Sequence, residues 1–163
     1  MNYCKKITSI FLAFLIVSCS SIAPSIDENI LIKMEKSACY GKCPIYTVIV
    51  KKNGELAYEG KEYVSVEGVK SSVISKESLT LIEEELVKTK FLSMQSKLHS
   101  GSWNCFVSAT DHSYILIEAS VKNNRKAVST YTGCNSEQVS KVIELAAFIE
   151  KTTEISKWVK QNP

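Results

Sequence analysis

The residues best suited to chemistry in this chain are four cysteines, Cys39, Cys43, Cys105 and Cys134. Cysteines in such a pattern can form disulfides, exchange them with a substrate, or hold a zinc ion. The first two enclose only Tyr40-Gly41-Lys42. Gly41 can adopt the positive φ that a tight turn between bridged cysteines needs. Of the three possible connectivities, the spacing favours Cys39–Cys43 and Cys105–Cys134, the second bracketing a predicted hairpin.

A redox function is the alternative for the close pair. A thioredoxin-like site has two intervening residues and a helix N-terminus that lowers the thiol pKa. Here three residues intervene, and Pro44 leads into a predicted strand. A structural bridge is therefore favoured, and a thiol–disulfide oxidoreductase using Cys39 and Cys43 is kept as the second hypothesis.

Metal binding and acid–base catalysis have weaker signals. Structural zinc prefers two short ligand pairs, and only one short cysteine pair accompanies His99 and His112. Asp111 and His112 are adjacent, so on a strand they would point to opposite faces. No nucleophile elbow or phosphate-binding glycine loop is present. We predict no catalytic residues, no metal site and no cofactor; enzymatic activity stays open, with its absence favoured.

Binding has more support, from an irregular stretch at 93–111 and from the cysteine turn. Aromatic residues flanking a loop held by a disulfide can form a recognition surface, although they can equally belong to the core. The candidate binding surface comprises Tyr40, Lys42, Trp103, Asn104, Phe106 and Asp111.

The N-terminus carries an export signal. Lys5 and Lys6 precede an apolar stretch at 7–17. Eleven helical residues rise about 16 Å, too short for a bilayer core of about 30 Å, so the segment is interpreted as a signal peptide. Leu15-Ile16-Val17-Ser18-Cys19 resembles a bacterial lipobox. The resemblance implies cleavage before Cys19 and acyl chains on it that anchor the protein in a membrane. The alternative is an ordinary signal with a chance cysteine.

The chain is thereby divided into a signal peptide at 1–18, a lipidated cysteine with a flexible tether at 19–28, and one domain at 29–159. Ser20 favours the periplasmic face of the outer membrane as the location. Export implies oxidising conditions, which favour bridged cysteines. Removal of 1–18 leaves 145 residues, a suitable length for one domain.

The charge balance excludes one class of partner. The chain carries 20 basic and 17 acidic residues, and losing Lys5 and Lys6 leaves a net charge of about +1. Such a domain lacks the basic surface that binds nucleic acid. The expected partners are the membrane, through Cys19, and an envelope protein or cell-wall component.

Hydrophobic periodicity predicts four strands, a helix, a hairpin and a second helix. The predicted strands are 30–35 (with Ile30, Ile32 and Met34 on one face), 46–51 and its hairpin return, 63–66 with 69–74 bent at Gly68, 114–121 and 126–132. A helix at 76–90 is capped by Ser75, buries Leu79, Ile82, Leu86 and then Phe91, and pairs Glu84 with Lys88. A second is capped by Asn135 or Ser136 and buries Val139, Val142, Ile143, Ala146 and Ile149. Trp158 and Val159 fold back as an apolar clasp.

Strands joined by hairpins form an antiparallel sheet. The predicted fold is therefore α+β, in the order β-β-β-β-α-β-β-α, with two helices on one face.

The register of the first hairpin can be argued from its turn, Lys52-Asn53-Gly54. A two-residue turn would place Val48 opposite Glu59. A three-residue turn with Gly54 as a left-handed bulge places Val48 opposite Tyr58 and Val50 opposite Leu56. The second register makes one continuous apolar face, so we predict the bulged turn.

The segment Cys39-Tyr40-Gly41-Lys42-Cys43-Pro44-Ile45-Tyr46, followed by the glycine turn and Tyr58-Glu59-Gly60, resembles a family of bacterial lipoproteins and secreted domains classed as a domain of unknown function. Its signature is Cys-aromatic-Gly-x-Cys-Pro-x-Tyr, and Trp158 matches a tryptophan near its C-terminus. The resemblance covers about residues 30–159. It implies the fold and export, and it brings no activity or catalytic residues.

The sequence thus predicts a lipid-anchored envelope protein that acts by binding. The alternatives are the oxidoreductase and a structural lipoprotein without a specific ligand.

Overall fold

The computed structural model describes residues 28–103, 105 and 110–160. The predicted signal peptide, Cys19, the tether before Glu28, Asn104 and Phe106 lie outside these residues. No helix within the described part is long and apolar enough to cross a membrane.

The domain is an α+β fold, as predicted. Its strands are β1 (Ile30–Lys36), β2 (Ile45–Lys51), β3 (Glu55–Glu62), β4 (Gly68–Val73), β5 (Lys97–Leu98), β6 (Tyr114–Val121) and β7 (Asn124–Tyr131). They form one sheet in the order β4-β3-β2-β1-β6-β7-β5, antiparallel except for β5 on β7. The short strand β5 was not predicted, because its two residues make no pattern of their own.

Strand β1 lies at the centre of the sheet, between β2 and β6. The pairing shifts between Ile30 and Ile32, which indicates a bulge. The prediction for this face is therefore only partly right: Ile32 and Met34 are buried, but Leu31 is buried beside them and Ile30 is half-buried.

The hairpin of β2 and β3 has the predicted bulged register, with Val50 opposite Leu56 and Val48 opposite Tyr58. Gly54 has a φ of +90° and donates its N–H to the Lys51 carbonyl at 3.0 Å. The apolar face of this hairpin is buried as a whole.

The connection from β3 to β4 differs from the prediction. Residues 63–66 form a bend rather than a strand. Val64 is buried in the core, and the Val66 N–H donates to the Trp158 carbonyl at 3.0 Å. The alternating valines of this segment therefore reflect contacts with the core and with Trp158 near the C-terminus, and they do not indicate a strand.

The first helix, α1 (Lys76–Lys88), begins as predicted. The Ser75 hydroxyl accepts the Ser78 N–H at 3.1 Å, which satisfies an unpaired donor of the first turn. The helix ends earlier than predicted because Lys90 adopts a left-handed conformation, after which Phe91–Ser93 forms a short 3-10 turn. The predicted Glu84–Lys88 pair is wrong: Lys88 pairs with Glu85 at 2.9 Å.

The second helix, α2 (Glu137–Thr152), is capped by Ser136. Its predicted core residues are buried except Ile143, which is exposed; Leu145 is buried instead. The two residues lie on opposite edges of one apolar stripe. Packing against the sheet and α1, rather than periodicity alone, therefore decides which edge is covered.

A short helix, α3 (Ser156–Val159), forms the predicted clasp. The Trp158 ring lies 5.3 Å from the ring of Tyr58, and Val159 is buried. Both main helices pack on the face of the sheet that carries Met34, Val48 and Ile117.

A substitution at Gly60 tests the close packing of β3 against the segment 63–66. A Cβ built on it would lie 2.1 Å from the Val66 carbonyl oxygen and 2.7 Å from the Tyr58 hydroxyl. We expect Gly60→Ala to lower the free energy of unfolding by about 1–3 kcal/mol, because backbone must shift to admit the methyl group. Exposed Ser72→Ala in β4 should change it by less than about 0.5 kcal/mol in the same urea titration. Equal stability of the two variants would contradict this packing.

Candidate binding surface

One end of the sheet gathers most of the residues singled out from the sequence. β1 ends at Lys36, β2 begins at Ile45 and β6 begins at Tyr114. Because β1 is antiparallel to both neighbours, these termini lie at the same end. We call this end, with residues 37–44, 99–103, 105, 110–113 and 132–134, the cysteine end.

The turn between β1 and β2 is closed by a disulfide between Cys39 and Cys43, whose Cα atoms are 5.7 Å apart. The turn is also attached to its neighbour: the Tyr40 N–H donates to the Asp111 carbonyl at 3.3 Å. Next to it, the Tyr114 N–H donates to the Ser37 hydroxyl at 2.9 Å. The bridge and these bonds hold the turn in one place.

The second predicted pairing is also present. Cys105 and Cys134 form a disulfide with Cα atoms 5.0 Å apart. It attaches the loop after β5 to the end of β7. Within that loop, the Ser102 N–H donates to the His99 carbonyl at 3.0 Å, and the Cys105 N–H donates to Ser102 at 2.9 Å.

Four aromatic rings pack against one another at the cysteine end. Tyr114 lies 5.0 Å from Tyr131 and 5.6 Å from His99, and His112 meets the Tyr131 ring edge-on at 6.3 Å. The Tyr131 hydroxyl accepts the His112 N–H at 3.2 Å. Sequence reasoning missed Tyr131, and it considered His99 only as a possible zinc ligand. The signal available was the hairpin register, which places Tyr131 opposite Tyr114.

Two aromatic side chains of this end are largely exposed to solvent. Tyr40 is 88% exposed and Trp103 is 80% exposed. Lys42 and Asp111 are also exposed at this end. Of the two interpretations open for Trp103, surface and core, the structure supports the surface. Asn104 and Phe106 cannot be placed, since they lie outside the described residues.

An open depression of about 390 Å³ lies beside the cysteine turn, lined among others by Ala38, Lys61 and Tyr114. A larger groove of about 610 Å³ lies elsewhere, between α1 and the turn from β6 to β7. None of the residues of the candidate binding surface lines the larger groove.

Cys39 and Cys43 lie in the turn that connects β1 to β2. β2 begins two residues after Cys43, and no helix begins at either cysteine. The helix dipole that lowers a thiol pKa in many redox centres is thus missing at this turn. Within the described residues, no group of three or more histidine, cysteine or acidic side chains could hold a metal ion.

A polar cluster fastens α2 to the sheet behind this end. Glu150 of α2 accepts hydrogen bonds from the Lys36 ammonium and the Tyr46 hydroxyl. Burial, with the nearby Glu150 carboxylate as a second cause, raises the pKa of Tyr46 far above its ordinary value of 10. Tyr46 therefore stays neutral, and its hydroxyl donates a hydrogen bond to the Glu150 carboxylate. The cluster joins residues more than 100 positions apart, and no local pattern indicated it.

Residues 30–153 match the family model described as a domain of unknown function (DUF6438). The matched range runs from the start of β1 to one residue after α2. No curated protein matches the chain.

The two bridges should contribute differently to stability. Loop-closure entropy assigns about 2 kcal/mol to the bridge over four positions and about 3.6 kcal/mol to the one over 29. Cys105→Ser/Cys134→Ser should therefore lower the urea midpoint more than Cys39→Ser/Cys43→Ser. Cys39→Ser/Cys43→Ser should mainly increase the rate of amide hydrogen exchange in the turn 37–44. The reverse order of midpoints would contradict the assignment.

Proposed function

The chain belongs to the DUF6438 family of domains of unknown function, and we propose that it is a lipid-anchored cell-envelope protein that acts by binding through its cysteine end. The proposed organisation is a signal peptide at 1–18, a lipidated Cys19 with a tether to residue 28, and a single binding domain at 29–159. The proposed location is the periplasmic face of the outer membrane.

The observation that carries this proposal is the exposure of Tyr40 and Trp103 on two loops, each held by its own disulfide. A large aromatic ring in water is unfavourable unless a partner covers it. Aromatic residues are also enriched in binding interfaces, where a rigid ring adds contact area at low entropic cost. The bridges hold the loops in place before binding, which reduces the entropy that association must overcome.

The position of the proposed tether also favours the cysteine end as the binding surface. The Lys52 N–H donates to the Asn29 carbonyl at 2.7 Å, so the chain enters the domain beside the turn from β2 to β3. That turn and the cysteine end are separated by the length of β1, seven residues or about 23 Å. The proposed tether of nine residues, which spans at most about 30 Å, therefore starts from the end of the sheet opposite the recognition loops.

The chemistry of the surface suits a neutral partner with both apolar and polar groups. Lys42 and Asp111 place opposite charges at the same end of the sheet as the two rings, and the mature net charge is near zero. An envelope protein or a cell-wall component has this mixed character, and nucleic acid does not.

The lipid anchor predicts the behaviour of Cys19→Ala. Without a thiol to acylate, the protein should move from the membrane fraction to the soluble fraction. Intact mass spectrometry of the wild type should show acyl chains, and the variant should show none. A variant that still fractionates with membranes would contradict the anchor and leave the cysteine end untested.

The binding surface predicts where partners crosslink. A photoreactive amino acid at position 40 or 103 should capture the same envelope partner in intact cells. The same probe at Leu81, an exposed apolar residue of α1, is the matched control and should not capture it. Trp103→Ala should remove the product formed from position 40.

Three results would contradict the binding proposal. The first is that neither position 40 nor position 103 gives a reproducible crosslinked product. The second is that position 81 gives the same product in equal amount, and the third is that the Cys39–Cys43 bridge of the wild-type protein is reversibly reduced and the protein reduces insulin. The first favours a structural lipoprotein, and the third favours the oxidoreductase.

A further inference from the structure

The two edges of the sheet differ strongly. At one edge, β5 contributes only Lys97 and Leu98. At the other, β4 contributes Gly68–Val73, and all six residues are exposed. Within the described part of the chain, β3 is the only strand that pairs with β4. An exposed edge of this length is a template for another strand.

One hydrogen bond shows which residues of β4 point their backbone N–H and C=O groups away from β3. The Ile74 N–H donates to the Gly54 carbonyl at 3.0 Å, one step beyond the pair of Val73 and Glu55. Bonded and non-bonded pairs alternate along an antiparallel ladder. Gly68, Lys70 and Ser72 are therefore bonded to β3, and Val69, Ser71 and Val73 direct their N–H and C=O groups outward.

The same three residues share a face of the sheet. They stand opposite Glu59, Ala57 and Glu55 of β3, on the face that the helices do not cover. Val69 is 72% exposed and Val73 is 74% exposed. The edge therefore offers two valines, separated by a serine, together with an unpaired backbone.

We propose that this edge of β4 binds the same edge of a second copy of the chain, antiparallel, with Ser71 opposite Ser71. This register places Val69 of each copy opposite Val73 of the other, so two valine pairs form on the open face. It also brings together the residues whose backbone groups point outward, and each of their pairs exchanges two hydrogen bonds. The edge is thus complementary to itself in side chains and backbone at once.

The charges agree with this register. Lys70 stands opposite Ser72 rather than opposite a second lysine, and like charges directly opposite would be unfavourable. Beyond the strand, Glu67 stands opposite Ser75, next to Lys76. Opposite charges therefore approach one another at both ends of the pairing.

The geometry also limits the size of the assembly. The β5 edge is too short to continue the pairing, so two copies close as a symmetric dimer rather than a fibre. A six-residue edge buries less than the roughly 800 Å² per partner of a typical stable interface. The dimer is therefore weak in solution, with a dissociation constant in the micromolar range or above.

Antiparallel pairing reverses the second copy, so the two chains enter at opposite ends of the joined sheet. This consequence rests on the proposed lipid anchor. The tether reach of about 30 Å exceeds the strand length of about 23 Å. Both anchors can therefore reach one membrane when the strands lie along its surface, with the two cysteine ends at opposite sides of the dimer.

Charge substitutions at the two exposed valines test the register. The full chain, purified in excess detergent, is examined by sedimentation velocity over a range of concentrations. Val69→Lys/Val73→Lys places lysine opposite lysine twice and should weaken dimerisation about tenfold or more. Val69→Lys/Val73→Glu places lysine opposite glutamate twice and should restore it. Leu81→Lys, on exposed α1 surface, should change nothing.

Each variant is also melted, and unchanged melting temperatures show that the fold is intact. A wild type that stays monomeric at millimolar concentration overturns the proposal. So does a dimer that tolerates both lysines, or one that the lysine–glutamate variant fails to restore, since position 69 then does not face position 73. The test uses no contact of the cysteine end, so its failure leaves the binding proposal standing.

Discussion

The pairing of β1 with β6 is the contact on which the rest of the domain depends. Strands β1 to β4 follow one another through turns, and β6 and β7 form a separate hairpin. Among the described residues, only the ladder from Ile32 opposite Ala119 to Lys36 opposite Ile115 joins the two units into one sheet. Without it, neither unit would present a surface wide enough to bury both α1 and α2.

The same pairing creates the cysteine end. Placing β6 beside β1 brings the Asp111 loop against the turn of Cys39 and Cys43, and β7 brings Cys134 within reach of Cys105. The disulfides, the rings around Tyr114 and the backbone hydrogen bonds of these loops then hold this end together. The Glu150 cluster fixes α2 over the same end. Tyr40 and Trp103 are thus exposed on a supported surface.

Much of the fold could be predicted from the sequence because its causes are local. The alternation around Lys52-Asn53-Gly54 allows one register with a continuous apolar face, and the hairpin adopts it. Ser75 and Ser136 cap their helices through contacts three residues away. The predictions that were wrong depend on distant neighbours. The segment 63–66 packs under Trp158, and Leu145 replaces Ile143 because the sheet and α1 lie on its side of α2.

For the candidate site, the sequence by itself determined the chemistry: the residue types, the favoured cysteine pairs, the exposed turn and the absence of a recognisable catalytic motif. Such features depend on residue identity and short spacing, which the chain carries wherever it folds. Only the tertiary structure decided that Trp103 is exposed, that Tyr131 and His99 pack against Tyr114, and that β4 rather than β5 is the long edge. These properties depend on which strands become neighbours, and that choice is made by burial of the whole apolar face rather than by any segment alone.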